Sequence, residues 1–447
     1  MPKITFMGAG SSVFAKNILG DSMLTPALRD AHIALYDIDG ERLNDSKLML
    51  DNVNANINED RATVTAHLGV ENRRAALDGA DFVVNAIQVG GYKPSTAIDF
   101  EVPKKHGLRQ TIADTLGIGG IFRTLRTLPV MLDFARDMEA VCPNAWLLNY
   151  TNPMAMLTGA MLRYTSVRTV GLCHSVQACV PGLLNLLGMH EKYPPDETQW
   201  RIAGINHMAW LLELTHQGRD IYPEVRRAGA EKNAAARGDG AARHHDMVRL
   251  EIMRHFGYYV TESSEHNAEY MPYWIRSTHP QLVDELNIPL DEYIRRCEAQ
   301  IEGWAKQRKD LVGDAKLTHE RSHEYGSYIM ESICTGQPLR VHGNVLNRGV
   351  ITNLPDEACV EVACLVDRNG VQPTHVGALP EACAALNRTN INVQLLTIEA
   401  VMTRRRDVIY QAAMLDPHTA AELSLDQIRD LCDDLIDAHG DMLPTYD

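Results

Sequence analysis

A cysteine and two histidines stand where folding could bring them into one site. Cys173 and His174 directly follow an apolar run, residues 169–172, that is typical of a buried strand. His207 lies in a second apolar segment, residues 202–210. A thiolate and an imidazole together are good ligands for a divalent first-row metal. On residue type alone, a buried thiol and a hydrogen-bonded core histidine are the more common outcome. Whether these residues form a metal site therefore depends on the rest of the chain.

The composition is that of a globular protein with a large core. The chain has 447 residues, of which 45% are hydrophobic and 23% charged, enough for two or three domains. Its formal charge, 43 − 58 = −15, argues against nucleic acid or an anionic membrane as partner. No apolar run approaches the roughly 20 residues of a membrane span, and we expect no signal peptide. Nine cysteines without fixed spacings favour free thiols and a cytoplasmic protein.

A glycine turn near the start of the chain predicts a dinucleotide site. The β-type run 3–7 leads directly into Gly8, Gly10 and Ser11, a spacing that lets backbone N–H groups and a helix N-terminus approach a pyrophosphate. Val13 stands where the usual third glycine would be, so the motif is incomplete. Asp37 ends the second predicted strand, where a carboxylate binds the ribose 2′-hydroxyl and repels a 2′-phosphate. NAD is therefore favoured over NADP.

Strands and helices alternate through the first half of the chain. This alternation predicts an α/β fold with a Rossmann-like, doubly wound sheet over residues 1–190, followed by an α+β domain over 191–447 that binds substrate and forms oligomer contacts. Ligand sites in such sheets lie at the carboxyl ends of the strands. Asn85 lies at such an end and is a candidate contact of the cofactor. Asn149 and Asn152 lie at or just after another end, as Cys173 does. Arg123, which follows a glycine-bearing segment, is a candidate for holding an anion or a sugar hydroxyl, with a surface arginine as the alternative.

Several motifs together resemble glycoside hydrolase family 4, whose Rossmann domain is akin to that of the lactate and malate dehydrogenases. These motifs are Gly8-Ala9-Gly10-Ser11, Asn149-x-x-Asn152-Pro153, Cys173-His174-Ser175 and Asn206-His207. Within the family the chain resembles the melibiase, or α-galactosidase, branch. The segments that carry this closer resemblance are Gly20-Asp21, 110–117, 149–156, 260–266, 360–367 and 416–421.

The resemblance implies a hydrolysis that uses NAD⁺ and a divalent metal, usually Mn²⁺. Family 4 is a known exception to the two-carboxylate scheme of glycosidases. The implied sequence is oxidation at C3 of the sugar, deprotonation at C2, elimination of the aglycone, addition of water and re-reduction. Cys173 and His207 match the metal ligands, while sugar oxygens and water fill the other positions. Several first-row metals would suit a thiolate, so the residues alone do not fix the metal.

The resemblance also assigns roles around the sugar. Asn152 matches an asparagine near the sugar and the nicotinamide, and Asn149 and His174 lie beside it. His174 is a candidate acid for the departing aglycone, or a residue that only hydrogen-bonds the sugar. Arg321 belongs to a segment similar to one that reaches the active site. The base at C2 is either Tyr270, which keeps the residue type of phospho-glycosidase relatives, or His266, which an ungapped comparison places nearer.

Three alternatives remain open from the sequence. An α-galacturonidase or α-glucuronidase of the same family would need an arginine for the C6 carboxylate. A 2-hydroxy-acid dehydrogenase would consume free NAD⁺ stoichiometrically and would not need Cys173. A non-catalytic NAD sensor would not need the Cys173–His207 pair. The resemblance further implies a homodimer or homotetramer with a small-molecule glycoside as substrate.

Overall fold

One continuous mixed sheet runs through the computed structural model, which describes residues 1–238, 240–312 and 316–447. Within these residues the sheet has 13 strands. The strands are β1 (Lys3–Met7), β2 (His32–Asp37), β3 (Thr63–Leu68), β4 (Phe82–Asn85), β5 (Trp146–Asn149), β6 (Arg168–Gly171), β7 (Thr198–Ile205), β8 (Met208–His216), β9 (Arg219–Asp220), β10 (Tyr259–Val260), β11 (Leu339–Leu346), β12 (Cys359–Asp367) and β13 (Gly370–Pro373).

Helices cover the sheet and fill the second half of the chain. They are α1 (Ser12–Leu24), α2 (Gly40–Ile57), α3 (Arg73–Leu77), α4 (Ala97–Lys105), α5 (Gly117–Val141), α6 (Met154–Tyr164), α7 (Ser175–Leu186), α8 (Tyr222–Ala236), α9 (Met247–Phe256), α10 (Ser264–Glu269), α11 (Gln281–Glu285), α12 (Glu292–Val312), α13 (Gly326–Thr335), α14 (Glu381–Thr403), α15 (Arg406–Leu415), α16 (Pro417–Glu422) and α17 (Leu425–His439). In the described part of the chain, none of them combines the length and apolar character that a bilayer crossing demands.

The parallel half of the sheet has the doubly wound arrangement that the alternation predicts. Its strand order is β6-β5-β4-β1-β2-β3, and all of these neighbours are parallel. The register aligns Met7 with Asn85, Asn85 with Asn149 and Asn149 with Gly171. The carboxyl ends of four strands therefore meet along one edge, which is where such sheets bind ligands.

The antiparallel half continues the same sheet beyond β6. Strands β11, β12, β7 and β8 follow in that order. The pair Asn344–Gly171 joins β11 to β6, and the pair Glu361–Gly204 joins β12 to β7. The turn between β7 and β8 carries His207. Strand β10 pairs with β8, so the residues just after β10 lie beside that turn. The boundary near residue 190 stays a prediction, because one sheet spans it.

Helix α5 begins at Gly117, inside the glycine-bearing segment, and carries Arg123. The glycines at 119 and 120 read as part of a loop, but they form the first turns of α5. A Cβ atom at Gly119 would lie 2.5 Å from the Ala113 carbonyl oxygen, and one at Gly120 would lie 2.7 Å from the Thr115 carbonyl carbon. The glycines allow the preceding segment to pack directly on the helix, so Arg123 projects from a fixed position.

Candidate active site

The glycine turn after β1 holds the carboxylate of Asp37 beside it. Gly8 has a φ of +88°, and a Cβ there would lie 2.8 Å from the Ala86 carbonyl group, so glycine is required. The Gly10 N–H donates to Oδ2 of Asp37 at 2.6 Å, and the Asp39 N–H donates to Oδ1 at 2.9 Å. The acid at the end of β2 is therefore fixed next to the turn, where a ribose would lie.

The N-terminus of α1 is suited to a pyrophosphate. Ser11 precedes the helix without a side-chain capping bond, and the first turn carries no acidic residue. The free N–H groups and the helix dipole therefore favour an anion there. Val13 is 46% exposed, so no close packing against the sheet requires a third glycine at that position. These residues fit the NAD predicted from the sequence.

A cavity of 330 Å³ opens at the carboxyl edge of the parallel strands. Ser11 and Ile87 line it on the side of the glycine turn, and Cys173 and His174 line it on the opposite side. Between them the lining includes Gln88, Asp114, Arg123, Tyr150, Thr151, Asn152 and Tyr293. The predicted dinucleotide turn and the predicted metal ligand thus face one space.

Asn85 and Asn149 lie in the interior and do not line this cavity. Both side chains are fully buried, and Nδ2 of Asn85 donates to Oδ1 of Asn149 at 2.9 Å. Nδ2 of Asn149 donates in turn to the Thr158 hydroxyl at 3.1 Å. This differs from the prediction, in which Asn85 contacts the cofactor and Asn149 the sugar. Their position inside adjacent parallel strands turns them toward each other, and their amides shape the loop that carries Asn152.

Asn152 does line the cavity. Beside it lies the carboxylate of Asp114, which the sequence did not identify as a site residue. Nδ2 of Asn152 donates to Oδ2 of Asp114 at 3.1 Å, and its backbone oxygen accepts from Nε of Arg123 at 3.1 Å. Although burial opposes ionisation, Arg123 and the nearby histidines lower the pKa of Asp114. The cavity wall therefore pairs a buried anion with a buried cation. The signal that could have found Asp114 is its place in the segment 110–117.

Three potential metal ligands converge behind Cys173. Ligand atoms of Cys173, His207 and Glu262 all lie within 4.8 Å of one another. Nε2 of His207 is 3.5 Å from Oε2 of Glu262. Burial raises the pKa of the Cys173 thiol to about 11, so a thiolate here needs a cation to hold it at neutral pH. The set fits a divalent first-row metal, and Glu262 is the member that the sequence reading missed.

His266 and Tyr270 lie on the far side of His207. The Tyr270 hydroxyl is 3.1 Å from Nδ1 of His207, and burial raises the pKa of Tyr270 well above its usual range. His266 shares a hydrogen bond of 2.6 Å with the Ser263 hydroxyl through Nδ1, and its Nε2 is 3.9 Å from Oδ1 of Asp114. Burial lowers the pKa of His266, which favours a neutral imidazole directed toward the cavity wall.

The mouth of the cavity is formed by His174 and its partner Glu324. Nε2 of His174 is 2.8 Å from Oε2 of Glu324, and this hydrogen bond raises the pKa of His174. The neighbouring Tyr325 hydroxyl accepts from the Cys173 N–H at 2.9 Å and donates to the Cys173 carbonyl at 3.0 Å. Residues 324 and 325 therefore support the Cys173-His174 turn from the second half of the chain.

Arg321, predicted to bind substrate, lies outside the cavity. Its guanidinium stacks on the ring of Tyr328 at 3.8 Å, and its side chain is exposed. The segment 321–325, which the resemblance places at the active site, does contact the Cys173-His174 turn. Glu324 and Tyr325 make these contacts, whereas the side chain of Arg321 packs on Tyr328 outside the cavity.

Models of one enzyme family match both halves of the chain. The family 4 glycosyl hydrolase model matches residues 3–189, and the model of the family 4 glycosyl hydrolase C-terminal domain matches residues 202–419. The chain belongs to glycosyl hydrolase family 4. This membership confirms the family that the glycine turn and the Cys-His-Ser motif indicated.

The family 4 hydrolase is similar to known proteins over its whole length. It is 60% identical over 446 residues to an α-galactosidase of Bacillus subtilis (strain 168), with 100% of both chains covered. It is 34% identical to an α-galactosidase of Rhizobium meliloti (strain 1021), over 99% of this chain and 89% of that one. It is 27% identical to an α-galacturonidase of Thermoanaerobacter italicus, over 93% of this chain and 91% of that one.

Solved structures confirm the fold class. A 6-phospho-α-glucosidase from gut microorganisms, crystallised in complex with NAD and Mn²⁺, matches with a TM-score of 0.80 and 20% identity over 100% of both chains. A 6-phospho-β-glucosidase from Thermotoga maritima, with NAD and glucose 6-phosphate, matches with a TM-score of 0.77 and 18% identity over 99% of both chains. The Rossmann-like first half and the mixed second half are thus a shared architecture.

Proposed function

We propose that this family 4 hydrolase is an α-galactosidase that depends on NAD⁺ and a divalent cation, with Mn²⁺ as the first choice. The observation that carries the proposal is that Ser11 of the glycine turn and Cys173 line one cavity, with His207 directly behind Cys173. The 60% identity to an α-galactosidase over the full length of both chains supports the substrate class. NAD and Mn²⁺ are named for a 6-phospho-α-glucosidase of the same fold, and the residues here fit both.

Different residues of the chain would bind NAD, the cation and the sugar. Gly10, Ser11 and Asp37 would hold NAD, and Cys173 and His207 would hold the cation. When bound, NAD⁺ would take up and return the C3 hydride of the sugar, while the cation polarises sugar oxygens as a Lewis acid. Asp114, Arg123 and Asn152 present a carboxylate, a guanidinium and an amide to the cavity, which suits the hydroxyls of a sugar ring.

Arg123 bears on the choice between a galactoside and a uronide. It is the arginine that lines the cavity among the described residues, and its charge interacts with that of Asp114. Its Nη1 also donates to the Tyr293 hydroxyl at 3.3 Å. Because a neighbouring carboxylate already neutralises this guanidinium, the site favours a neutral sugar over one with a C6 carboxylate. The α-galacturonidase function is therefore the second candidate.

Within the proposed function, His266 is the better candidate for the base at C2. The Tyr270 hydroxyl already bonds Nδ1 of His207, whereas Nε2 of His266 faces Asp114 at the cavity wall. Solvent exchange at C2 of the substrate, followed by NMR in D₂O, separates the two. We expect His266→Ala to stop the exchange and Tyr270→Phe to retain it. The reverse pattern would assign the base to Tyr270.

His174 is the proposed proton donor to the leaving aglycone. Its side chain is 46% exposed at the cavity mouth, and Glu324 fixes its Nε2. Nδ1 is left to face the aglycone. The test is the leaving-group dependence of the rate: His174→Gln should slow substrates with poor leaving groups far more than p-nitrophenyl α-galactoside. Equal slowing of both would leave His174 with a binding role only.

The decisive experiment for the function is hydrolysis of p-nitrophenyl α-galactoside with NAD⁺, Mn²⁺ and reductant omitted one at a time. We expect activity to require all three without net formation of NADH. The matching α-galacturonide, α-glucuronide and α-glucoside serve as comparisons. Activity on a uronide alone would keep the chemistry and change the substrate. Hydrolysis that survives removal of both bound cofactor and metal would contradict the redox mechanism.

We also propose a cytoplasmic homo-oligomer, either a dimer or a tetramer. All nine cysteines are free, which suits a reducing compartment. Large apolar side chains are exposed on the C-terminal helices, with Leu415 at 51% and Leu425 at 63%. Light scattering coupled to size-exclusion chromatography measures the assembly directly. A monomeric mass at micromolar concentration would refute the oligomer.

A further inference from the structure

We propose that Glu262 is a third protein ligand of the divalent cation, beside Cys173 and His207. This inference rests on the proposed function insofar as that function requires a bound cation. Its geometric basis is the group of three ligand atoms within 4.8 Å of one another, in which Oε2 of Glu262 is 3.5 Å from Nε2 of His207. One ion placed among the three atoms would be in reach of each of them.

The strand pairing places Glu262 beside His207. The Thr261 N–H donates to the Ala209 carbonyl at 2.8 Å, and the Ala209 N–H donates to the Thr261 hydroxyl at 3.1 Å. These two bonds extend the pairing of β10 with β8 by one residue, up to the turn that carries His207. Glu262 is the next residue, so these two hydrogen bonds place its carboxylate beside the imidazole of His207.

The backbone at both positions is strained in the same way. His207 has a φ of +62° and Glu262 a φ of +66°, in the left-handed region that glycine adopts most easily. A residue with a side chain adopts this conformation only at a cost in free energy. Strain of this kind persists at sites where the side chain is needed. One such residue lies in the turn between β7 and β8 and the other just after β10, and their proximity points to a common task.

An ion pair with the neighbouring histidines is the competing explanation for Glu262. Its Oε1 is 3.5 Å from Nδ1 of His266, and its Oε2 is 3.5 Å from Nε2 of His207. Nδ1 of His266 already shares a hydrogen bond of 2.6 Å with the Ser263 hydroxyl, however, so its contact with Glu262 is the longer of the two. A divalent cation would balance the thiolate and the carboxylate together.

The donor set also makes chemical sense for Mn²⁺. A thiolate alone favours softer metals, whereas carboxylate oxygen suits Mn²⁺. One sulfur, one nitrogen and one oxygen from the protein leave the remaining positions of an octahedral ion open. Those positions would face the cavity, because Cys173 lines it and Glu262 and His207 lie behind. Two sugar oxygens can therefore bind without displacing a protein ligand.

The first test is the dissociation constant of Mn²⁺ itself, measured by the EPR signal of the free ion without NAD or sugar. We expect Glu262→Gln to weaken binding by about 10- to 100-fold, in line with the loss of groups that support a metal. The matched control is Glu265→Gln, three residues along the chain, whose carboxylate pairs with Arg296 outside the cluster. That variant should bind Mn²⁺ as the wild type does.

Each outcome has a defined meaning. If Glu262→Gln binds Mn²⁺ with the wild-type constant, Glu262 is not a ligand, and the proposed function stands. If the wild-type protein binds no divalent cation, the proposed function fails with it. Glu262→Asp, which keeps the charge but shortens the side chain, covers the case in which the glutamine variant does not fold. Its affinity should fall between those of the other two proteins, and an unchanged affinity would count against coordination.

A Co²⁺-substituted protein gives a second readout that is independent of activity. The charge-transfer band from the Cys173 thiolate should persist in Glu262→Gln at saturating Co²⁺, while the ligand-field bands change because one oxygen is lost. Cys173→Ser should lose the charge-transfer band. Ligand-field bands that are identical in wild type and Glu262→Gln would overturn the proposal.

Discussion

Cys173 and His174 are neighbours in the chain, but the fold gives them different supports. The Tyr325 hydroxyl bonds both backbone polar groups of Cys173, and the Glu324 carboxylate bonds the imidazole of His174. The orientation of a metal ligand and of a candidate acid is therefore set by two consecutive residues about 150 positions away. At this scale the site depends on single hydrogen bonds as much as on the reacting groups.

Removing one hydroxyl tests this dependence. In Tyr325→Phe the ring still packs, but the N–H and carbonyl of Cys173 lose a partner, which costs roughly 1–3 kcal/mol of stability. We expect a weaker affinity for Mn²⁺ and a lower kcat. Tyr446→Phe is the control, since its buried hydroxyl bonds the Leu125 carbonyl at 3.3 Å away from the site. Equal Mn²⁺ affinities in the two variants would contradict the positioning role.

The sequence identified the site residues whose type indicates their chemistry. It did not identify those whose role depends on their position in the fold. Cys173 and His207 are unusual residue types in apolar segments, and the structure brings them together. Glu262 and Asp114 are acids in polar segments, where a solvated side chain is the common outcome. Their place in the site depends on the pairing of β10 with β8 and on the glycine contacts of α5. No local pattern encodes either arrangement.

Helix α1 connects the dinucleotide site to the segment that supports Cys173. Its N-terminus faces the proposed pyrophosphate, and near its other end Asp21 is fully buried. Asp21 accepts from Nε2 of His319 at 2.7 Å and from the Ser322 hydroxyl at 2.6 Å. A Cβ at Gly20 would lie 2.7 Å from the His319 ring, so glycine leaves room for that ring. Asp21 then binds His319 and Ser322 by hydrogen bonds.

Neutralising the Asp21 carboxylate should loosen this contact. Asp21→Asn weakens the hydrogen bonds that His319 and Ser322 make to a buried carboxylate, a change that costs about 1–3 kcal/mol. We expect a lower Tm and a lower kcat, with the Kd for NAD unchanged because the glycine turn is untouched. Asp45→Asn is the control: that carboxylate is also buried and accepts from Arg308 at 2.6 Å, but it does not contact residues 316–325. A normal kcat in Asp21→Asn would show that the contact is only structural.

Strand β11 carries a histidine whose burial should make stability depend on pH. Burial lowers the pKa of His342 to about 4, and its ring stacks on Trp200 with centroids 5.3 Å apart. The unfolded chain binds a proton near pH 6.5 and the folded chain only near pH 4, so stability is full above pH 6.5 and falls as the pH drops toward 4. The loss should reach about 2 kcal/mol at pH 5.

Urea unfolding at pH 7 and pH 5 measures this loss. In His342→Phe, which keeps a ring against Trp200, the difference between the two pH values should shrink by about the same 2 kcal/mol. An identical pH dependence in both proteins would mean that other groups control acid stability.

The whole molecule is organised by a sheet whose two halves meet at few residues. Asn344 of β11 pairs with Gly171 of β6, which joins the antiparallel half to the parallel half. The single pairing of Glu361 with Gly204 then joins β12 to β7 within the antiparallel half. The strand alternation of the first half was readable from the sequence. The junction was not, because a single pairing between distant segments leaves no periodic signal. Next to it lies Glu361, which is fully buried beside Asn344.

Glu361 should act as a neutral acid. Burial, reinforced by the nearby Cys173, raises its pKa well above the ordinary value. Nδ2 of Asn344 donates to its Oε1 at 3.3 Å, a bond that a glutamine can also accept. We expect Glu361→Gln to change the unfolding free energy by less than about 1 kcal/mol, whereas Glu361→Ala leaves a cavity and costs about 2–5 kcal/mol. Thermal unfolding of both variants at pH 7 measures this, and a glutamine variant as unstable as the alanine variant would indicate an ionised carboxylate.

The cation cluster spans this junction. Cys173 follows the last parallel strand, whereas His207 and Glu262 belong to the antiparallel strands. A metal held by all three is a cross-link between the two halves, so its binding energy adds directly to the work needed to separate them. At an Mn²⁺ concentration 100 times its Kd, this linkage adds about 2.7 kcal/mol to the stability of the folded state. Amide hydrogen exchange should then slow in β6 and β8 together when Mn²⁺ is added, so the proposed ion would also stabilise the fold.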